Sequence, residues 1–293
     1  TYESSKTIHS NCHRSYKLTR FAPSITGFIH LGHVYHLLVL FSLSKKLDLS
    51  VLLRVEDHDK QRFKQEYLES LFVDLKFLGI QCKGPTVYQS CSKKYYDDCL
   101  DFLIRKNLVY ACKCSRSEIL SNQHLNKSEL HYSGKCKNKN LPFEGNTIRF
   151  KVDDKKICFK DLILGHQTQN PFFQCGDFSI RDKLGNYTYQ FVCVCDDIRQ
   201  KITHVIRGED ILESTARQIL LYRAFEAPIP NFFHHSLLYD KNGNKLCKTN
   251  KSESISEMIK NGISSDEIFA KALNLENPIS LSRAYDYMDK GIM

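Results

Sequence analysis

The sequence predicts an α/β chain that opens as a doubly wound nucleotide fold, and three observations carry that prediction. Lys17–Phe21 is a strand-like run that turns through Pro23 and Gly27 into an apolar helix, Leu31–Leu47. Leu49–Val55 is a short, mostly apolar run of the kind that forms a buried parallel strand. Phe63–Leu78 then places Tyr67, Leu68, Leu71, Phe72, Leu75 and Leu78 at helical spacing, and Gly79 stops it. Strand, helix, strand, helix is how such domains begin.

The remaining elements follow in order. Residues 1–14 read as a polar leader, and 15–109 as the first half of the nucleotide domain, closing with a helix at Tyr95–Lys106. From Tyr110 to about Phe173 the chain turns rich in Cys, Lys, Asn and Ser, with strand-like fragments at Thr147–Val152 and Ile157–Ile163. We expect residues 110–175 to be an insertion. The α/β pattern resumes over 176–250, through Phe178–Arg181, Tyr187–Asp197, the strand Thr203–Arg207, the helix Asp210–Phe225 and a last strand at Phe233–Leu238. Residues 251–293 read as a helical segment, with helices at Ser265–Leu273 (capped by Ser264 or Ser265) and Leu281–Met288.

At 293 residues the chain can bury a sizeable core, and its net charge of +9 suits a polyanionic partner such as RNA. Twelve cysteines would mean a disulfide scaffold in a short secreted protein, but Thr1–Arg20 lacks the apolar core of a signal peptide. The longest apolar stretch, around Leu37–Leu43, is too short to span a bilayer. We therefore expect a reduced, cytoplasmic monomer with no membrane association. Most of its cysteines would be core residues and a few would bind metal.

The turn between the first strand and helix holds the chemistry. A strand, a glycine-containing turn and a helix start present free backbone N–H groups to a phosphate, and His30 and His33 add two imidazoles at that helix start. No GxxxxGK[ST] or GxGxxG pattern is present. Two further segments join it: Arg54-Val55-Glu56-Asp57-His58-Asp59 after the second strand, and Lys245-Leu246-Cys247-Lys248-Thr249 after a late Gly-containing turn. This ordered set, RFAPSxTGxxHxGH, RxEDxD and KLxK, resembles the class I glutamyl-tRNA synthetase family, whose nucleotide signatures are called HIGH and KMSKS. The likeness runs from about Tyr16 to Lys251 and is strongest to the short branch that acts on queuosine in tRNA(Asp). It implies a class I aminoacyl-tRNA synthetase Rossmann-like fold with an inserted zinc-type subdomain and a short helical C-terminal segment.

The resemblance assigns His30, Gly32, His33, Lys245 and Lys248 to ATP, with His30, His33 and Lys248 catalytic and Mg2+ accompanying the nucleotide. Charge on a pentacoordinate phosphorus and on leaving pyrophosphate calls for such donors and cations. Ile25 stands where the family usually has a second proline. Cys247 and Thr249 replace serines, which removes hydroxyls and no cation. For L-glutamate the resemblance points to Arg20, Phe21, Ala22, Pro23, Ser24, Glu56, Tyr189 and Arg207. By charge, Glu56 would take the ammonium, and Arg20 and Arg207 the carboxylates. An arginine beside a neutral amide would be left unmatched, which argues against glutamine.

Cys112, Cys114 and Cys136 supply three thiols for tetrahedral, structural Zn2+. Metal chemistry in general nominates His131 or His124 as the fourth ligand, whereas the resemblance nominates Tyr132. Arg105, Lys106, Lys113, Arg116, Lys135, Lys137 and Lys139, interleaved with Tyr110 and Tyr132, form a basic and aromatic cluster suited to RNA. The resemblance implies ATP-dependent formation of glutamyl-adenylate. Residues 249–293 are too few for the anticodon-binding region of a full synthetase, which implies transfer to queuosine in the anticodon loop of tRNA(Asp). The alternatives are a truncated enzyme charging the 3′ end of tRNA(Glu) or tRNA(Gln), and a non-catalytic glutamate- or RNA-binding paralogue.

Overall fold

The computed structural model describes residues 16–121, 129–238 and 253–291. Its first half is three parallel strands with helical crossovers: β1 (Leu18–Phe21), α1 (Leu31–Leu47), β2 (Ser50–Val55), α2 (Gln65–Phe77) and the short β3 (Val87–Tyr88). β2 lies between β1 and β3, so even Arg54 on it is fully buried. A helix, α3 (Lys93–Arg105), leads to β4 (Val109–Cys112) and α4 (Arg116–Ser121).

β5 (Thr147–Phe150), β6 (Ile157–Asp161), β7 (Gly165–Gln169), α5 (Pro171–Gln174) and β8 (Ser179–Arg181) follow. They divide between two sheets in a way the sequence did not foretell. β4, β5 and β8 form an antiparallel sheet, so β8, expected to resume the nucleotide fold, belongs with the insertion. β6 and β7, expected in the insertion, pair instead with the nucleotide sheet, where Asp161 aligns with Phe232. Asp161 explains the placement. Its carboxylate accepts from the Ile163 and Leu164 amides of the β6–β7 turn and from the His234 amide.

The second half adds α6 (Tyr189–Arg199), β9 (His204–Gly208), α7 (Thr215–Ala224) and β10 (Asn231–His235), with a 3-10 turn at Glu209–Ser214 where a continuous helix was expected. β9, β10 and β6 are parallel. β1 and β9 start side by side, since the Thr203 amide donates to the Leu18 carbonyl at 2.9 Å and the Leu18 amide to Thr203 Oγ1 at 2.8 Å. From that seam β1, β2 and β3 step one way and β9 and β10 the other. In open α/β sheets the crevice beyond the strand ends at such a reversal is where ligands bind.

Three further helices, α8 (Ile255–Lys260), α9 (Ser265–Ala272) and α10 (Leu281–Gly291), follow among the described residues. α1 is apolar around most of its circumference, with Val34, Leu37, Leu38, Val39, Leu40 and Leu43 all buried. Such a helix must be covered on more than one side. The sheet covers one side; Ile268 and Phe269 of α9 and Ala284 and Met288 of α10 join the same core from the other. Ser42 Oγ donates to the Tyr285 carbonyl across that contact at 3.0 Å. No helix among the described residues is long and apolar enough to cross a membrane.

Candidate active site

A cavity of about 360 Å³ lies at the reversal, between the ends of β1 and β9 and the start of α1. That is ample for a small polar metabolite. Arg20, Phe21, Ala22, Pro23, Ser24, His30, Gly32, His33, Tyr189 and Arg207, all nominated from sequence, line it together. Lys245 and Lys248 lie outside the described residues, as does His124. The cavity is nonetheless bordered by both flanks of that segment. Leu237 and Leu238 line it, and Ser254 bridges to His30 while the Ile255 amide donates to the Ile29 carbonyl at 3.0 Å.

The start of α1 is capped by its own histidines. His30 is the N-cap, and its Nδ1 accepts from the Gly32 amide at 3.1 Å. The His30 amide in turn donates to His33 Nδ1 at 3.2 Å. This is the reciprocal geometry of a capping box, made with imidazoles in place of hydroxyl and carboxylate. Because both Nδ1 atoms accept, each neutral ring carries its proton on Nε2.

Arg20, at the end of β1, donates from Nε to Asp197 Oδ1 at 3.0 Å, and Arg54 donates from Nη1 to the same oxygen at 2.7 Å. Tyr222 donates to Oδ2 at 3.0 Å. Burial works against every charge in this group. The two guanidiniums nevertheless hold Asp197 below the usual carboxylate range, and Asp197 holds both arginines above theirs. Glu56 sits behind the cavity wall. Its amide donates to the Pro23 carbonyl at 3.1 Å and its side chain is 3.7 Å from Arg54 Nε. Burial pushes Glu56 up to about 7, although Arg54 and Arg20 pull the other way.

Arg207, at the end of β9, is held differently. Nε donates to His234 Nε2 at 2.9 Å, Nη1 to Gln218 at 2.7 Å and Nη2 to Thr215 at 3.0 Å. His234 donates from Nδ1 to Asp161 at 2.6 Å. All three direct partners are neutral, since burial keeps His234 below its ordinary pKa. Arg207 therefore brings an aligned cation to the cavity with no carboxylate directly against it among the described residues.

In the insertion, the Cys112, Cys114 and Cys136 sulfurs lie within 4.8 Å of one another and can hold a metal ion. Cys114 and Cys136 Sγ are 3.6 Å apart, and the Tyr132 hydroxyl is 3.2 Å from Cys112 Sγ and 3.7 Å from Cys114 Sγ. A tetrahedral zinc with bonds of about 2.3 Å to sulfur needs sulfur–sulfur edges of about 3.8 Å, close to the Cys114–Cys136 spacing, and the Tyr132 hydroxyl lies beside the three thiols. His131 instead places Nε2 2.9 Å from the Phe172 carbonyl. Tyr132 is fixed from behind: the Arg149 guanidinium lies 3.8 Å from its ring centroid, and Gly176, at φ +66°, presses on its backbone so closely that a Cβ would collide with the Tyr132 carbonyl. Tyr110 and Tyr132 are both buried, which removes the aromatic half of the expected RNA cluster. Lys106 and Lys137 are paired with Glu226 and Asp177.

Residues 18–272 match the model of the tRNA synthetases class I (E and Q), catalytic domain. The chain belongs to this synthetase family. It is 36% identical over 272 residues to a glutamate–tRNA ligase of Sulfurihydrogenibium sp. (strain YO3AOP1), covering 86% of this chain and 57% of that one. It is 35% identical over 246 residues to a glutamyl-Q tRNA(Asp) synthetase of Acinetobacter baylyi, covering 84% and 82%. The glutamate–tRNA synthetase structure from Elizabethkingia anophelis superposes with a TM-score of 0.77 at 25% identity, over 92% of this chain and 65% of that one. The chain thus spans just over half the length of the first ligase it matches.

Sequence reasoning missed the residues that hold the three arginines Arg20, Arg54 and Arg207: Asp197, Tyr222, His234, Asp161, Gln218 and Thr215. It also missed His36 and His235, which line the cavity. The adjacent acids Asp196-Asp197 at the end of an apolar run were the one available signal for Asp197. Removing one partner of a fully buried pair leaves an uncompensated charge, so Asp197→Asn should cost about 3–5 kcal/mol of folding stability. Urea denaturation would measure it, and a loss under about 1 kcal/mol would mean that Arg54 finds another counter-charge.

Proposed function

We propose that this synthetase condenses L-glutamate with ATP to form glutamyl-adenylate and pyrophosphate, and then passes the glutamyl group to tRNA. The observation that carries the reading is the pair of buried guanidiniums, Arg20 and Arg207, on one cavity that also opens onto the capped start of α1. In this reading Arg207, with no carboxylate directly against it among the described residues, takes a substrate carboxylate, and Arg20 stands beside it. Glu56, which does not itself line the cavity, is the carboxylate assigned to the ammonium, with Ser24 and Tyr189 on the lining completing the pocket. An amide would leave Arg207 facing a neutral group, which disfavours glutamine.

For the chemical step, a carboxylate oxygen of glutamate forms a bond to the α-phosphorus of ATP as the bond to the pyrophosphate oxygen breaks. Charge grows on the non-bridging oxygens and on the leaving group. The amides at the start of α1 and the Nε2 protons of His30 and His33 are the donors assigned to that charge, with Gly32 giving close backbone access. Lys248 is assigned as the catalytic cation of the second signature, with Lys245 beside it on ATP. Mg2+ arriving with ATP would neutralise part of the triphosphate charge. Zn2+ on Cys112, Cys114, Tyr132 and Cys136 would be structural, since four protein ligands leave no open position.

For the acceptor we favour queuosine in the anticodon loop of tRNA(Asp), a reading supported by the Acinetobacter and Yersinia relatives that carry the glutamyl-Q name. Charging the 3′ end of tRNA(Glu) or tRNA(Gln) is the second reading, supported by the relatives named as glutamate–tRNA ligases.

Glutamate-dependent ATP–pyrophosphate exchange tests activation. Exchange should occur with glutamate and be at least tenfold weaker with glutamine. Arg207→Lys should raise KM for glutamate at least tenfold, about 1.4 kcal/mol. Labelled glutamate should then enter tRNA(Asp) containing queuosine and not the unmodified form; equal labelling of both would favour the second reading.

Glu56 adds a pH signature. A carboxyl raised to about 7 is protonated below that pH and ionised above it, so KM for glutamate should fall as pH rises from about 6 to 8. Glu56→Gln should raise KM and flatten that dependence; a profile identical to wild type would remove Glu56 from the ammonium site.

Finally, the purified chain should carry one zinc per molecule by elemental analysis. Cys136→Ser should lose it, and Gly176→Ala should lower both zinc content and thermal midpoint by displacing Tyr132. Full zinc retention in Cys136→Ser would exclude this ligand set.

A further inference from the structure

The cavity holds a second histidine pair, separate from the α1 cap. His36 lies on α1 at i+3 from His33, and His235 ends β10. His36 Nδ1 is 2.9 Å from His235 Nε2, and the rings stack at 5.1 Å between centroids with an interplanar angle of 25°. His235 Nδ1 is 2.8 Å from the Ser236 carbonyl oxygen.

The Ser236 carbonyl can only accept, so His235 carries its proton on Nδ1 and its Nε2 is left to accept. His36 must then donate from Nδ1, which leaves a lone pair on His36 Nε2. A backbone carbonyl thus sets the tautomer of a ring two residues removed along the relay. Both rings are neutral, because burial lowers both pKa values and, for His36, the neighbouring His235 and Arg20 lower it further. His36 Nε2 has no hydrogen-bond partner among the described residues, and His36 lines the cavity. Arg20, Arg207 and the Nε2–H edges of His30 and His33 are donors, suited to the oxygens of an anion, and the Asp210 carboxylate stands on the same lining as a further acceptor. A fixed acceptor among them calls for a different part of the ligand.

We propose that His36 Nε2 is a substrate-contacting acceptor for an N–H or O–H group of the ligand, with His235 as the positioning residue that fixes its tautomer. The proposal rests on the reading of this cavity as the glutamate and ATP site. An ammonium of the amino acid, or an amino or hydroxyl group of the nucleotide, supplies the required donor.

The test compares His36→Leu, His36→Gln and His235→Leu in ATP–pyrophosphate exchange, with KM for glutamate and for ATP measured separately from kcat. His36→Leu should raise KM for one substrate at least fivefold with a smaller change in kcat. His36→Gln, which keeps an acceptor, should recover most of it, and His235→Leu should show a partial version of the defect. The substrate whose KM moves identifies the donor. Both KM values within twofold of wild type in His36→Leu would overturn the proposal. An independent readout is the 15N spectrum of ring-labelled protein. His36 should be in the Nδ1–H form, with Nε2 shifting when ATP or glutamate is added. An Nε2–H form, or no shift with either compound at saturation, would also overturn it. Absence of exchange would sink the functional reading alone, since the spectrum still decides the acceptor.

Discussion

A guanidinium buried at a strand end has to be satisfied by the protein before it can serve a ligand, and this requirement shapes the whole site. Desolvating a charge is costly, and geometry must repay it with hydrogen bonds or a counter-charge. The chain meets the requirement in two ways. Arg20 and Arg54 share one oxygen of Asp197, so two cations and one anion form a closed group held further by Tyr222. Arg207 is held by His234, Gln218 and Thr215, which supply geometry without charge. One cation is therefore largely matched and the other is positioned yet electrostatically hungry. That asymmetry gives the cavity a direction along which an acidic molecule can be read.

Both halves of the fold contribute to this arrangement. β1 carries Arg20, β2 carries Arg54 with Glu56 just beyond its end, α6 carries Tyr189 and Asp197, and β9 carries Arg207. The strands of the two halves meet where β1 and β9 begin, through Leu18 and Thr203, and they diverge from there. Asp197 is thus more than a counter-ion: it ties the helix of one half to strands of the other beside the opening. Asp161 does comparable work on the far side, where the β6–β7 turn, β10 and the His234–Arg207 relay meet on one carboxylate.

Much of this was legible in the sequence, and the reasons for the rest are physical. Local signals worked where the determinants are local: apolar runs located β1, α1, β2 and α2, and the nominated turn residues do converge on one cavity. Strand partnership was less readable. β6 and β8 look alike as short runs, and only Asp161, whose partner His234 is 73 positions away, assigns β6 to the nucleotide sheet. Asp197 is 177 positions from Arg20, and an acidic pair ending a helix resembles any solvated helix end until the fold closes over it. His36 and His235, 199 positions apart, carry no motif at all. The basic and aromatic cluster misled because composition cannot tell a stacking tyrosine from one packed against cysteines.

The burial of α1 has a practical consequence for anyone who trims the chain. The helix that presents His30 and His33 at its tip is wrapped along its length by α9 and α10, so those last helices are the roof of the first. A version shortened before α9 would strip that roof and leave a greasy rod facing solvent. It would tend to clump, however intact its signature motifs looked on paper.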